Sequence, residues 1–297
     1  MLDYVRDAIT LGGVYLLFGL GLTLSWGVLN VLNLAHGNVL VAAALTGYLL
    51  TTGGAVLPIA VLLPVCMAVG AVLGLALETL VFRPIRARAR SEDSAALAIL
   101  IGSIAAGAVL HALATDITGG RVRVIDPRSF AIEIYPLFGT TVSNLQLLIV
   151  GLSLAIGVAL ALFVTRTRQG RALRALAYDR QTCGLLGIST DRLALTTMAI
   201  AGALAGAGGL LLALYIGSVE ASMTDSLLLK AFAVIIIGGV GSVYGAIAGA
   251  FLIAAAEVAT VVLLGSGARD AVVFAVILLL LLLRPQGLFA RTAWQRA

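Results

Sequence analysis

The sequence predicts an all-α, polytopic integral membrane protein of about eight to nine transmembrane helices, and three observations predict it. Of 297 residues, 61% are hydrophobic and only 11% charged, a balance that describes a chain dissolved in lipid rather than a water-soluble core. Apolar runs long enough to cross a bilayer recur along its whole length. Most of its arginines gather in three short segments beside those runs: Arg83, Arg86, Arg88 and Arg90; Arg166, Arg168, Arg171, Arg174, Arg180 and Arg192; and Arg284, Arg291 and Arg296. Arginine concentrated in short loops marks the cytosolic face. The expectation is therefore one transmembrane domain over residues 1–297, with a cytosolic loop at 165–192 and an extracytoplasmic loop at 115–143.

The opening MLDYVRD precedes an apolar stretch without a small-residue cleavage site, which reads as a retained first helix rather than a signal peptide. That helix runs from about Ala8 to Leu32 and meets a polar knot, NVLNLAHGN (Asn30 to Asn38), before apolar sequence resumes to Leu50. Two readings fit the knot. It caps helix ends at an interface, or it is unwound backbone inside a discontinuous helix, which is tolerated at membrane depth only in protein or beside water. A segment from Ala55 to Phe82 follows, with Pro58, Pro64 and Glu78; so near Arg83, Glu78 reads as an interfacial or paired carboxylate rather than a proton carrier.

Ala95 to Ala114 crosses outward. The polar region after it, Thr115 to Ser143, balances Asp116, Asp126 and Glu133 against Arg121, Arg123 and Arg128, the neutrality expected of an extracytoplasmic loop. Its alternating RVRVIDP and FAIEIYP suggest a small β-hairpin. Leu145 to Val164 returns to the basic loop, and Leu193 to Ile216 leaves it, carrying Gly202 and Gly206 on one face for close packing. The break GSVEASMTDS (217–226) is expected outside.

The last third echoes the first. Leu227 to Ile237 is interrupted by GGVGSVYG (Gly238 to Gly245), and Ala246 to Leu264 resumes, with Gly241, Gly245 and Gly249 every fourth residue. Paired interrupted helices in two halves, an internal pseudo-repeat, point to a transport path. Ala271 to Leu283 forms a short final span. An odd number of crossings puts the N-terminus in the periplasm and the C-terminus in the cytosol.

The chemistry needed for an enzyme is sparse. The chain holds two histidines, His36 and His111, with no HExxH or GxSxG pattern, and its single lysine, Lys230, is preceded by leucine, so no GxxxxGK[ST] phosphate loop exists. No catalytic residue, metal ligand or cofactor site is expected. Cys66 and Cys183 are too separated to suggest a disulfide. No basic stripe interleaved with aromatics suggests nucleic acid. A passive channel is the rival class, but NLAHG lacks the proline and the second copy of an NPA motif. Glu257 is the one mid-span carboxylate, a candidate proton carrier or a structural pair.

Five motifs, LNLAHGNVL (Leu32 to Leu40), VFRPIRAR (Val81 to Arg88), GRALRALAYDRQTCGLLGISTDR (Gly170 to Arg192), KAFAVIIIGGVGSVYGAIAGA (Lys230 to Ala250) and RPQGLF (Arg284 to Phe289), occur in an order and spacing that resembles the LivH-type permease subunit of bacterial branched-chain amino acid ABC importers. That branch also includes urea and short-chain amide importers. The resemblance covers nearly the whole chain. It implies a multi-pass inner-membrane subunit that pairs with a second, related permease, two cytosolic ABC ATPases and a periplasmic substrate-binding protein, and that moves cargo by alternating access. It also implies that the cytosolic loop carries a coupling element over Gly170 to Asp191, with Gly170, Arg171, Arg174, Asp179, Gly187, Ile188 and Asp191 as coupling residues. Asp179 stands where a glutamate is usual. Leu173, Leu176 and Ala177 would form the apolar face of its short helix. The path is assigned to Asn33, His36 and Asn38 in the first interruption and Gly239, Gly241 and Ser242 in the second, glycines that close packing explains equally well.

Overall fold

The computed structural model of the chain describes residues 1–30, 32–52, 57–125, 130–137, 139–284 and 287–288. Asp126, Arg128, Arg291, Arg296 and, of the RPQGLF motif, Pro285, Gln286 and Phe289 lie outside the described residues.

Among the described residues, seven helical segments are long and apolar enough to cross a membrane. They are α1 (Leu2–Leu29); α3 (Ile59–Ala76), which continues through a π-helical turn, Leu77–Phe82, into α4 (Arg83–Arg88); α5 (Glu92–Thr118); α6 (Asn144–Arg166); α9 (Thr190–Ile216); α11 (Val243–Leu264); and α12 (Arg269–Leu283), reached through a 3₁₀ turn at Ser266–Ala268. Two further apolar helices have 16 residues each, α2 (His36–Thr51) and α10 (Met223–Gly238). At 1.5 Å per residue each is about 24 Å long, short of the ~30 Å hydrocarbon core. Both short helices adjoin an interruption, at 30–35 before α2 and at 239–242 after α10. The basic loop folds as α7 (Arg168–Tyr178) and α8 (Arg180–Leu185).

The helix ends are set by local chemistry. Ser91 and Ser143 make capping boxes at the starts of α5 and α6, and Gly119 and Gly217 close α5 and α9 in the left-handed region. Inside the helices, hydroxyls such as those of Thr46 and Thr197 donate to the carbonyl four residues back, which spares an apolar surrounding an unpaired polar group.

The helices pack around α1 and α9, the two most deeply buried spans. The most extensive contact is α3 on α9, running antiparallel. A methyl placed on Gly70 would stand 2.1 Å from the Gly202 carbonyl oxygen, one on Gly74 2.2 Å from that of Met198, and one on Gly206 2.2 Å from that of Cys66. The two helices therefore touch backbone to backbone. A second such seam joins α10 and α11, where Gly245 lies against Gly238 and Gly249 against the Val234 carbonyl. Gly241 is not part of that helical stripe: it lies in the interruption, with φ of 77°, against Gly27 of α1.

The polar ends divide cleanly. At one end Asp191 binds Arg83 at 3.0 Å and Arg180 at 3.3 Å, tying the first two arginine clusters together, and Gly287, just beyond Arg284, packs on Gly239. The first two clusters and Arg284 of the third thus converge on one end, hereafter the arginine end. At the opposite end the start of α1 meets a hairpin, with the Arg6 guanidinium donating to the Thr141 carbonyl. That hairpin is β2 (Ile134–Leu137) against β3 (Thr140–Ser143). The RVRV stretch does not join it. Its strand β1 (Arg123–Val124) pairs with β4 (Ser218–Val219), binding the loop after α5 to the one after α9.

The α3–α9 seam leaves no room for a side chain. Gly70→Ala is expected to lower stability by about 1–3 kcal/mol, while Gly151→Ala, where a methyl meets nothing within 4 Å, is expected to be neutral. Thermal unfolding of the two purified variants in detergent checks the contrast.

Candidate functional site

The most elaborately built surface is the segment between α6 and α9. Thr167 caps α7 by accepting from the Gly170 amide at 2.9 Å. Gly170 itself is buried in the turn, where a methyl would stand 2.2 Å from the Phe163 carbonyl oxygen. Leu173 and Leu176 of α7 are buried, so the apolar face that sequence reasoning offered to a partner is spent on the protein's own bundle.

The exposed apolar surface comes instead from α8. Asp179 caps it, accepting from the amides of Gln181 at 2.8 Å and Thr182 at 3.0 Å and from the Thr182 hydroxyl. The Thr182 hydroxyl first, and these amides with it, hold the Asp179 carboxyl below the usual carboxylate range. After α8 the chain reverses at Gly187, whose φ of 78° is one that side chains rarely adopt, and Ile188 donates its amide back to the Cys183 carbonyl at 3.0 Å. Ile188 then packs on the core. Leu185 and Leu186 do not: they are 88% and 74% exposed, beside Tyr178 at 67%. Arg171 is exposed on α7, and Asp191 closes the segment through Arg83 and Arg180. Sequence reasoning missed the two leucines, although an apolar pair between glycines in a basic loop is a legible signal.

Beside α7 lies a cavity of about 330 Å³. Its walls are Thr23, Leu24, Gly27 and Val28 of α1, Ala161, Val164 and Thr165 of α6, Leu173, Arg174, Ala177 and Tyr178 of α7, and Val240 to Tyr244 of the second interruption. Arg174 therefore lines this cavity together with Gly241 and Ser242. Gly239 turns the chain with φ of 88°, and the Ser242 oxygen caps α11 by accepting from the Gly245 amide at 3.0 Å.

The first interruption lies elsewhere. The 30–35 segment starts at Asn30, whose neighbours line the arginine end with Arg180, and climbs back along α1. The Leu34 amide donates to Ser103 at 3.1 Å, and the buried Asn33 side chain accepts from the Ala35 amide at 3.1 Å. His36 then stacks on Phe18 with ring centroids 4.9 Å apart, while Asn38 accepts from the Thr224 hydroxyl at 3.3 Å. Phe18 is nine residues from Gly27, about 13 Å along α1. The two sets of path residues are thus stacked at different depths rather than joined in one pocket.

A buried charge cluster binds four helices. Glu257 of α11 accepts from the Tyr15 hydroxyl of α1 at 2.6 Å and from Lys230 of α10 at 2.8 Å, and it pairs with Arg269 of α12. Asp270 lies 4.0 Å from Lys230. With every oxygen engaged, Glu257 is a structural pair. Glu78 likewise pairs with Arg86, while Arg83, nearer in sequence, is bound to Asp191.

Residues 4–283 match the model of the family described as branched-chain amino acid transport system / permease component. The chain is 30% identical, over 98% of its length and 96% of the relative's, to the high-affinity branched-chain amino acid transport system permease protein LivH of Escherichia coli K12. It is 29% identical over the same shares to BraD, named likewise, of Pseudomonas aeruginosa, and 29% identical to a probable LivH of Methanocaldococcus jannaschii across 85% of this chain and 79% of that one. No solved structure matches.

Removing one partner of the buried cluster strands the other. Glu257→Ala is expected to destabilise the chain by about 3–5 kcal/mol, and adding Lys230→Met and Arg269→Met is expected to recover part of that loss. Melting temperatures of the single and triple variants test the pairing.

Proposed function

The chain belongs to the branched-chain amino acid transport permease family, and on that premise we propose that it is the membrane-spanning subunit of an ATP-driven importer in the bacterial inner membrane. The arginine end faces the cytosol, and with it the C-terminus, while the start of α1 faces the periplasm. Two cytosolic ABC ATPases supply the energy, a second, related permease completes the path, and a periplasmic binding protein delivers the cargo. Residues 1–297 act as one permease domain. The permease carries out no covalent chemistry: its work is to bind weakly, orient and release.

The observation that supports this reading most is the exposed Leu185–Leu186 tip of α8. Two large apolar side chains held in water on a capped, two-turn helix, rimmed by Arg171, Arg180 and the capping Asp179, have the form of a knob for a partner's groove. Behind the knob, α7 packs on α6, α1 and α9, so a push on α8 reaches α1, whose Gly27 lies against Gly241 of the second interruption. Gly170, Gly187, Ile188 and Asp191 hold the knob in position rather than touching the partner. Cargo passes Asn33, His36 and Asn38 on its way to Gly239, Gly241 and Ser242, and ATP-driven closure of the motor rocks the permease between outward and inward openings. The relatives, named as branched-chain amino acid transport permeases, favour branched-chain amino acids over urea or short amides as cargo.

In proteoliposomes holding the assembled transporter, Leu185→Asp combined with Leu186→Asp is expected to cut ATP-driven leucine uptake about tenfold or more and to strip the ATPase from the purified complex, with the permease still inserted. Wild-type uptake in that variant would remove the docking surface. Gly187→Val is expected to lower uptake as well, because it forces the turn beside the knob out of its backbone conformation.

A further inference from the structure

One helix is held by its ends rather than by its face. Along α12 only Val273 is buried, and Leu278, Leu279, Leu282 and Leu283 are exposed, so most of its surface faces away from the bundle. Its head is fastened by charge: Arg269 pairs with Glu257 of α11, and Asp270 lies 4.0 Å from Lys230 of α10. Its tail is fastened by backbone. The Gly287 amide donates to the Arg284 carbonyl at 3.0 Å, and the Leu288 amide donates to the Ile237 carbonyl at 2.8 Å. Ile237 stands in the last turn of α10, where carbonyls have no partner within their own helix, so Leu288 supplies a bond that α10 cannot. Gly287, with φ of 85°, lies so close to the second interruption that a methyl on it would stand 2.6 Å from the Gly239 nitrogen and 2.7 Å from the Ile236 carbonyl oxygen. The same interruption meets α1 at Gly241, where a methyl on Gly27 would stand 2.4 Å from the Gly241 Cα. Residues 239–242 therefore touch α1 at one point and the tail of α12 at another, and 240–242 wall the cavity beside α7.

We propose that α12 is a strap that carries movement between the arginine end and the buried charge cluster near the opposite end. A push that reaches α1 passes from Gly27 to Gly241, from Gly239 to Gly287, and then along a helix about 22 Å long to Arg269 and Glu257. The inference rests on the importer reading and deepens it, because it gives the route by which closure of the motor on one side of the membrane reaches the opening on the other. Coupling of this kind needs an element with two discrete arrangements, and the head of α12 has them. Lys230 has two carboxylates in reach, Glu257 at 2.8 Å and Asp270 at 4.0 Å. A small axial shift of α12 exchanges one for the other without stranding a charge. A strap fastened along its face could not slide in this way, which is why the sparse burial of α12 matters as much as its two anchors.

The test is a double-mutant cycle read by maleimide labelling of Ser242→Cys in the full-length chain in lipid nanodiscs, where the native Cys66 and Cys183 are buried. Arg269→Gln cuts the head and leaves Glu257 to Lys230 and Tyr15, and Leu288→Pro removes the amide at the tail. Each is expected to change the labelling rate about fivefold in the same direction, and the two together no more than either alone, because a strap cut at one end is already slack. Leu288→Ala, which keeps the amide, is expected to label as the parent does. An unchanged rate in Arg269→Gln, effects that multiply in the pair, or a Leu288→Ala rate equal to that of Leu288→Pro would each overturn the strap. The assembled transporter separates this claim from the importer reading. There, ATP with vanadate is expected to alter labelling both of Ser242→Cys and, just before the head of α12, of Ser266→Cys, and in either strap variant only Ser242→Cys is expected to respond. Any other response in the variants removes the strap and leaves the importer. No nucleotide response in the parent, with the cycle as expected, does the reverse.

Discussion

The structure depends on helices that meet backbone to backbone. In lipid there is no gain from hiding apolar side chains, since the solvent is as apolar as they are, so association must come from close van der Waals contact. The glycines of α3 and α9 bring that about by letting carbonyl oxygens reach to within 2.1 and 2.2 Å of where a methyl would stand. The α10–α11 seam repeats the device through Gly238, Gly245 and Gly249. Between them these seams hold α1 and α9 at the centre and leave α5, α6 and α12 largely on the outside.

On that frame the chain can afford two places where helix stops. Neither leaves its local backbone to the lipid. The first is satisfied by Asn33 and Ser103, the second by the Ser242 cap and by the Leu288 amide, which donates to the Ile237 carbonyl at 2.8 Å. Irregular backbone inside a bundle is tolerated where protein or a water-filled cavity receives it. The second interruption has both, and it shares its cavity with α7. The arrangement makes the docking segment and the irregular backbone mechanical neighbours although some sixty residues of sequence separate them.

Much of the fold was legible because hydropathy sets the position of long helices, and the arginine clusters announced which loops share an end. What was not legible depended on pairing across distance. RVRV alternates like half of a local hairpin, yet its partner is Ser218–Val219 beyond four further helices, and no local pattern records that. The face of α7 was misjudged for a related reason: amphipathicity reveals that Leu173 and Leu176 seek an apolar partner, but not whether it is a foreign groove or the chain's own α1 and α9. Glu257 was readable as a lone mid-span carboxylate, and its partners became visible only when α10 and α12 were seen folded against α11.

That charge cluster bears on biogenesis. Inserted one at a time, α10 and α11 would each present a bare ionised side chain to hydrocarbon, at about 2.5–3.5 kcal/mol apiece, and α12 would bring Arg269 at its head. Folded against one another and against Tyr15 of α1, the same groups neutralise each other. The last three helices are therefore suited to leave the insertion machinery as a single packet, and the first helix, made earliest, waits in the bilayer as the surface on which they close.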